Sequence, residues 1–352
     1  MFSIEMLPAE RGDCLWLTYG PEDDLRHVII DAGPSQTQTT IVPELRRRIK
    51  ALGGKANCVE LLVITHVDRD HIQGVVQLLA PATSNRFFRD IWFNGFHHLG
   101  ALGAVEGEQL TTELNRDKPR WNNAFARHAV VVPPDGPLPT VTLPGGLKIT
   151  LLSPSPAKLE KMIPRWEKEV IRAGLVPGKG APPPRKLVED GVLGAPTLEE
   201  LAASKFVADP EPPNGSSIAF LAEFDGKRAL LGADAHMKEV IGALKRLGPG
   251  PLELDAVKLP HHGSRKNLSA EFVSMVRCRN WLFSSNGAMF NHPNPETIAR
   301  IVCNQPAKPT LHFNYVSEFT APWKTHPEKN RYKAVYPGKV GGVQQEGLVV
   351  TL

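Results

Sequence analysis

Two histidines and two aspartates crowd into the six residues His66-Val67-Asp68-Arg69-Asp70-His71. In an extended turn, residues two apart point to one side, so His66 and Asp68 can converge on one cation. Asp70 and His71, where the chain turns into its next element, can face a second cation beside the first. Carboxylates this close repel one another unless a positive charge lies between them, so such a run has few purely structural reasons to exist. The mixed imidazole and carboxylate set accepts Zn²⁺ and, with Asp68 adding an oxygen, favours a harder ion such as Mn²⁺. The expected cofactor is therefore a pair of divalent ions, Zn²⁺ or Mn²⁺. A solvated charged loop is the competing explanation.

The elements that must hold this run can be read on either side of it. Val59 to Ile64 is a buried-type strand, and Ile72 to Leu79 a short helix. Before them, Phe2 to Met6, Cys14 to Tyr19 and His27 to Ile30 form a strand meander, ended by Asp31, Ala32 and Gly33. Val42 to Leu52 spaces Leu45, Ile49 and Leu52 as a helix, with Arg46, Arg47, Arg48 and Lys50 mostly on a solvated face. A second alternation follows. Ser217 to Glu223 and Arg228 to Leu231 make a hairpin around Asp225-Gly226, then come a helix from His236 to Leu247, a strand from Leu254 to Leu259 and a helix from Ala270 to Arg277. Trp281 to Ser284 is a strand, Pro295 to Val302 a helix and Thr310 to Asn314 a strand. Two such halves predict a layered α/β protein with helices outside its sheets.

Between the halves, residues 174–214 hold eight prolines and five glycines, which favours extended backbone without ladder hydrogen bonds. The stretch reads as an insertion in a single domain spanning residues 1–352, with Thr197 to Ser204 as a short capped helix. Its place before Asn214 suggests a lid over the site, opened by a regulatory protease or partner; a flexible tether without effect is the alternative.

The motif His66-x-Asp68-x-Asp70-His71 resembles the HxHxDH signature of the metallo-β-lactamase fold, in the HxDxDH form of the hydrolase domain of ComEC/Rec2-type DNA-uptake proteins. Gly12-Asp13, Ile30-Asp31-Ala32-Gly33, Asn214-Gly215-Ser216-Ser217, Leu231-Gly232-Ala233-Asp234 and Leu259-Pro260-His261-His262-Gly263-Ser264 resemble further motifs of that family, in the same order. The resemblance implies a four-layer αββα sandwich with its ligands on loops at one edge. It implies His66, Asp68, Asp70, His71, Asp234 and one of His261 and His262 as metal ligands, the other histidine meeting substrate or a carboxylate. Without that company Asp234 would read as a helix N-cap. Where the wider fold places a third histidine this chain offers Asn214, which leaves the third ligand of the first ion open, with His97 and His98 as further candidates. Asn214, Ser217 and Ser264 belong to motifs and are expected near substrate. His292, in Asn291-His292-Pro293, is a candidate proton donor to a leaving alkoxide, and Asp70 can orient the attacking hydroxide.

Paired divalent ions about 4 Å apart suit hydrolysis of a phosphodiester, but also attack on a lactone, thioester or β-lactam carbonyl. Lys258, Arg265 and Lys266 beside the histidine pair, and the basic run Lys324, Lys329, Arg331, Lys333, Lys339, favour the phosphodiester. Together with the resemblance to DNA-uptake hydrolases, this makes the expectation a metal-dependent phosphodiesterase, a nuclease acting on DNA. A hydrolase of small carbonyl esters and a degenerate, non-catalytic binding module remain the alternatives. A net charge of +4, from 41 basic and 37 acidic residues, excludes a uniformly basic nucleic-acid binder. No apolar run is long enough for a membrane span, and four scattered cysteines without a CxxC pair point to free thiols in a reducing cytoplasm.

Overall fold

The computed structural model describes residues 1–81, 84–95, 98, 105–115, 120–172 and 196–352. Phe2–Met6 (β1), Leu15–Tyr19 (β2) and Arg26–Ile30 (β3) form the expected antiparallel meander. Ile41–Ala51 (α1) leads to Val59–Val63 (β4), which pairs parallel to β3, and Arg69–Leu79 (α2) leads to Phe88–Trp92 (β5), parallel to β4. After Val105–Leu114 (α3), Thr140–Thr142 (β6) and Lys148–Ser153 (β7) begin a second sheet. Pro156–Arg172 (α4), Leu198–Ala203 (α5) and Pro212–Gly215 (α6) precede the hairpin Ala219–Phe224 (β8) and Lys227–Leu231 (β9).

Met237–Leu247 (α7), Leu252–Lys258 (β10), Ala270–Ser274 (α8), Val276–Phe283 (β11), Pro295–Asn304 (α9) and Thr310–Phe313 (β12) continue the alternation to Lys333–Val335 (β13). Lys339–Val340 (β14) and Val343–Gln344 (β15) form a small hairpin, and Leu348–Thr351 (β16) returns to pair with β1. The first sheet runs β16-β1-β2-β3-β4-β5, the second β13-β12-β11-β10-β9-β8-β7-β6.

Period-two alternation along the strands builds the layers. Phe2, Ile4, Leu17, Val28, Leu61 and Val63 share one core with Ile149, Leu151, Phe220 and Leu230 of the second sheet. Their neighbours Trp16, Ile29, Val59 and Leu62 turn the other way, onto Leu45 and Ile49 of α1 and Ile72, Val75 and Leu79 of α2. Met237, Val240 and Leu244 of α7 and Ile298 and Ile301 of α9 cover the second sheet. The result is a four-layer αββα sandwich. Among the described residues no helix is long and apolar enough to cross a membrane.

Three expectations need correction. The helix foreseen over Ala270 to Arg277 stops at Ser274, and Trp281 is not the start of a strand but the middle of β11. Parallel pairing with β10, from Leu252 opposite Val276 to Lys258 opposite Leu282, claims the backbone from Val276 onward. The Pro-rich stretch is also not all outside the core. Leu198 is fully buried, α5 packs along α9, and the buried Arg300 guanidinium reaches Ser204 and the carbonyls of Arg265 and Leu268. Thr197 caps α5 in a reciprocal box with Glu200, as its sequence predicts. Residues 174–195 of the stretch lie outside the described residues.

Candidate metal centre

The HxDxDH run leaves the end of β4 and enters α2, with Asp68 in extended conformation as the N-cap residue. Two glycines let neighbouring loops press against this turn. A Cβ on Gly12 would lie 1.7 Å from the Asp70 carbonyl oxygen, and one on Gly74 2.0 Å from that of Ala32. Backbone thereby packs on backbone behind the ligands, and the loops after β1 and β3 deliver Asp13 and Asp31 to the same place.

Each imidazole is held from behind at Nδ1 and presents Nε2 to a common space. His71 Nδ1 donates to Asp31 Oδ2 at 2.7 Å, and Asp31 also accepts the Thr65 N–H and hydroxyl at 2.8 and 2.7 Å. His66 Nδ1 lies 3.0 Å from the Thr65 hydroxyl. His262 Nδ1 donates to the Ser284 carbonyl at 2.9 Å with Asp13 Oδ1 at 3.4 Å. His261 Nδ1 lies 2.9 Å from Asn267 Oδ1 and 3.2 Å from Asp209 Oδ2.

On the open side Asp234 divides the set. Its Oδ1 is 3.4 Å from His71 Nε2 and 3.8 Å from His262 Nε2, which in turn stands 3.7 Å from Asp70 Oδ2. Its Oδ2 is 3.9 Å from His66 Nε2 and 3.8 Å from His261 Nε2, with Asp68 Oδ2 3.6 Å from His66 Nε2. The ligand atoms of His66, His71 and Asp234 lie within 4.8 Å of one another, and so, as a separate group, do those of Asp70, His71 and His262.

A buried polar atom without a partner costs about 1–3 kcal/mol. Here His66 Nε2, His71 Nε2, His262 Nε2 and Asp234 Oδ1 are all buried without hydrogen-bond partners and converge. That donor set fits divalent cations, with Asp234 as the carboxylate common to both sides. The electrostatics agree. Burial opposes charge on Asp234, yet the facing imidazoles of His71, His261 and His262 hold its carboxyl well below the usual range. Burial likewise opposes protonation of His71 and His261, but Asp234 with Asp31 raises His71 well above its ordinary value, and Asp234 with Asp209 lifts His261 to about 9.

Of the residues singled out in the sequence, His66, Asp68, Asp70, His71, Asp234, His261 and His262 come together. Both members of the His261-His262 pair face Asp234, one to each oxygen, because left-handed backbone at both residues turns the two rings apart. Asn214 is buried beside them but gives its amide N–H to Asp209 at 2.6 Å. Ser217 is buried below the motif, where the next residue, Ile218, donates its N–H to the Thr65 carbonyl at 2.9 Å. The Ser264 hydroxyl accepts the Lys266 N–H at 3.2 Å and closes the turn after the histidines.

Two proposed substrate cations have other work. Lys258 is fully buried in an ion pair with Asp13, and Arg265, its side chain exposed, pairs with Glu296 at 2.8 Å; the Lys266 side chain is exposed as well. Lys258 ends β10 on the inward side, where the buried Asp13 needs a counter-charge. In the basic run downstream, Arg331 is paired with Glu199 and Glu328, and Lys324 lies over the Tyr336 ring at 4.3 Å. His292 is buried with its ring 5.3 Å from that of His261, and burial, then the charges of His261 and His262, push its pKa well down. His98 lies edge-on to Trp121 with its Nε2 3.1 Å from the Arg127 carbonyl, while His97 lies outside the described residues.

Asp209 and Asn267 carried no sequence signal, one hidden in the Pro-rich run and the other past the end of a motif. Asp13 and Asp31 were visible only as members of motifs.

The four layers and the ligand loops gathered at one edge are those that the HxDxDH resemblance implies. The fold is the four-layer αββα sandwich expected from that resemblance. No protein-family model matches the chain, and no curated protein matches it in sequence. Among solved structures it is similar to a mutant CmlA beta-hydroxylase at 11% identity and a TM-score of 0.40, the match covering 100% of this chain and 54% of that one. The chain thus spans about half the length of that protein. It is similar to YhfI from Bacillus subtilis, described as a metallo-beta-lactamase fold protein, at 10% identity and 0.40, covering 100% of both chains. It is similar to Zn²⁺-bound PqqB from Methylobacterium extorquens at 11% identity and 0.41, again over 100% of both.

Proposed function

We propose that this centre belongs to a two-metal hydrolase that cleaves phosphodiesters, with DNA as its substrate. The observation that carries the reading is the division of Asp234 between two half-sites, each with imidazole nitrogens aimed at it. When bound, divalent ions supply Lewis acidity there, acidifying water and offsetting charge that develops on the attacked ester. The chain's own groups do the rest. Asp31, Thr65 and Ser284 keep His71, His66 and His262 in the tautomer that leaves Nε2 free. Of the ligand-side carboxylates, Asp68 is 40% and Asp70 14% exposed, so both are open to entering water, and Asp70, facing His262, can accept its proton.

One further feature supports a nucleotide. Phe290, at 50% exposure the only exposed aromatic ring among the described residues, stacks on His292 at 6.0 Å, and His292 abuts His261. A base flanking the scissile phosphate can lie on that ring. The pairing of Lys258 and Arg265 within the protein favours a second reading, hydrolysis of an uncharged carbonyl ester.

Turnover of bis-p-nitrophenyl phosphate, plasmid DNA and p-nitrophenyl acetate with Mn²⁺ or Zn²⁺ decides between them. Metal-dependent cleavage of the first two, lost in Asp234→Asn, is the expected result. Cleavage of the acetate alone transfers the proposal to esters, and failure to bind any metal overturns both.

A further inference from the structure

Asp209 sits in the Pro-rich run between α5 and α6, 52 residues before His261, and is buried. Its Oδ1 accepts the Glu211 N–H at 3.0 Å. Its Oδ2 accepts the side-chain amides of Asn214 at 2.6 Å and Asn267 at 3.0 Å, and stands 3.2 Å from His261 Nδ1. Asn267 also places its Oδ1 2.9 Å from the same ring nitrogen, while its amide reaches back to the Asp234 carbonyl at 3.2 Å. Two oxygens from two separate stretches of chain thus close on one imidazole nitrogen.

An imidazole flanked by acceptors at Nδ1 keeps its proton there and offers Nε2 as a lone pair. That Nε2 points at Asp234 Oδ2, the oxygen that His66 also faces. The same arrangement recurs with Asp31 behind His71 and Asp13 beside His262, so Asp209 supplies the third carboxylate of a set.

We propose that Asp209 is a positioning residue: it fixes the tautomer and aim of His261 toward the ion held on the His66 side, so that residues 196–214 support metal loading instead of covering the cleft. This rests on the metal-centre reading above. It assigns the chain a selective coupling, because no contact of Asp209 reaches His71, His262 or Asp70. Loss of a carboxylate behind a ligating histidine lowers metal affinity about 10- to 100-fold. The effect here should fall on one ion of two.

Zinc titration of the full chain by calorimetry, with metal counted after dialysis, tests the proposal. Wild type is expected to hold two ions; Asp209→Asn should keep one and bind the other about 10- to 100-fold more weakly. The exchange variant Asp209→Asn/Asn267→Asp returns a carboxylate to Nδ1 from the other side and should recover the weakened ion. Equal affinities in wild type and Asp209→Asn, or an equal loss at both ions in a folded variant, would overturn the proposal. Should Asp209→Asn fail to fold, ¹⁵N-histidine spectra of the zinc-loaded wild type decide: His261 coordinated through Nε2 with its proton on Nδ1 supports the assignment, and any other state of that ring refutes it. A wild type that binds no zinc removes the metal-centre reading itself, a different failure from two ions that ignore Asp209.

Discussion

Replacing Lys258 with methionine isolates one buried charge. Lys258 and Asp13 come from positions 245 residues apart, and their side chains are 0% and 2% exposed. Methionine fills much of the same space without an ammonium, so lost packing is a minor part of the change. What remains is the Asp13 carboxylate in a dry site, and removing one partner of a buried pair costs about 3–5 kcal/mol. The pH dependence has a definite sign. Burial pushes the Asp13 carboxyl up, but Lys258 and then His262 hold it well below the usual range. Native Asp13 therefore contributes stability that is present above pH ~4 and is lost only as the pH falls below the ordinary carboxylate range. Without Lys258 burial wins, the native carboxyl takes up a proton more readily than the unfolded one, and the variant gains relative stability toward acid. Urea unfolding of the chelator-treated chain at pH 8 and pH 5.5 should show the full deficit at pH 8 and a smaller one at pH 5.5. A deficit under about 1 kcal/mol at pH 8, the range of a solvent-exposed pair, would refute the burial argument. A raised KM at unchanged stability would return Lys258 to substrate binding.

Other perturbations probe other parts of the centre. Gly12→Ala puts a methyl group where the Asp70 carbonyl stands, so about 1–3 kcal/mol of strain and loss of the ion on the Asp70–His71–His262 side are expected in unfolding and metal-binding curves. Asp70→Ala should abolish hydrolysis while moving the urea midpoint little, because its side chain faces His262 across the centre and belongs to neither apolar core; wild-type turnover in that variant would remove it from the centre. Chelation should lower the melting temperature, since an ion present at 100 times its Kd adds about 2.7 kcal/mol to stability. Burial, then Lys333, lowers the His312 pKa to about 4, so between pH 6.5 and 4 the unfolded chain binds a proton that the native one refuses. Stability should fall across that window, and His312→Gln should flatten the fall.

Local chemistry made part of this centre legible. The HxDxDH run, the strand before it and the helix after it are neighbours in sequence, so spacing alone carried their geometry. Leu198 shows the opposite case: composition assigned its surroundings to an insertion, while its burial depends on α9, a hundred residues away. Lys258 was misread because a cation beside two histidines looks like a phosphate contact until its buried partner, Asp13, is seen. Asp209 and Asn267 became visible only through distances to His261. β5, β7 and β16 were not foreseen, and β16 in particular depends on its pairing with β1 at the other end of the chain.

The scatter of the centre along the chain also bears on how quickly it can form. Asp13, His66 to His71, Asp209, Asp234 and His261-His262 meet only when loops of dozens to hundreds of residues have closed. Each closure costs chain entropy before any ligand contact rewards it, which is the condition that slows folding. The His66 to His71 run is different, since four of its side chains can meet an ion within six residues of chain. An ion caught there by the unfolded polypeptide would ride along until Asp234 and the histidine pair arrive. Metal added before refolding and metal added after it should therefore give the same final protein by different time courses.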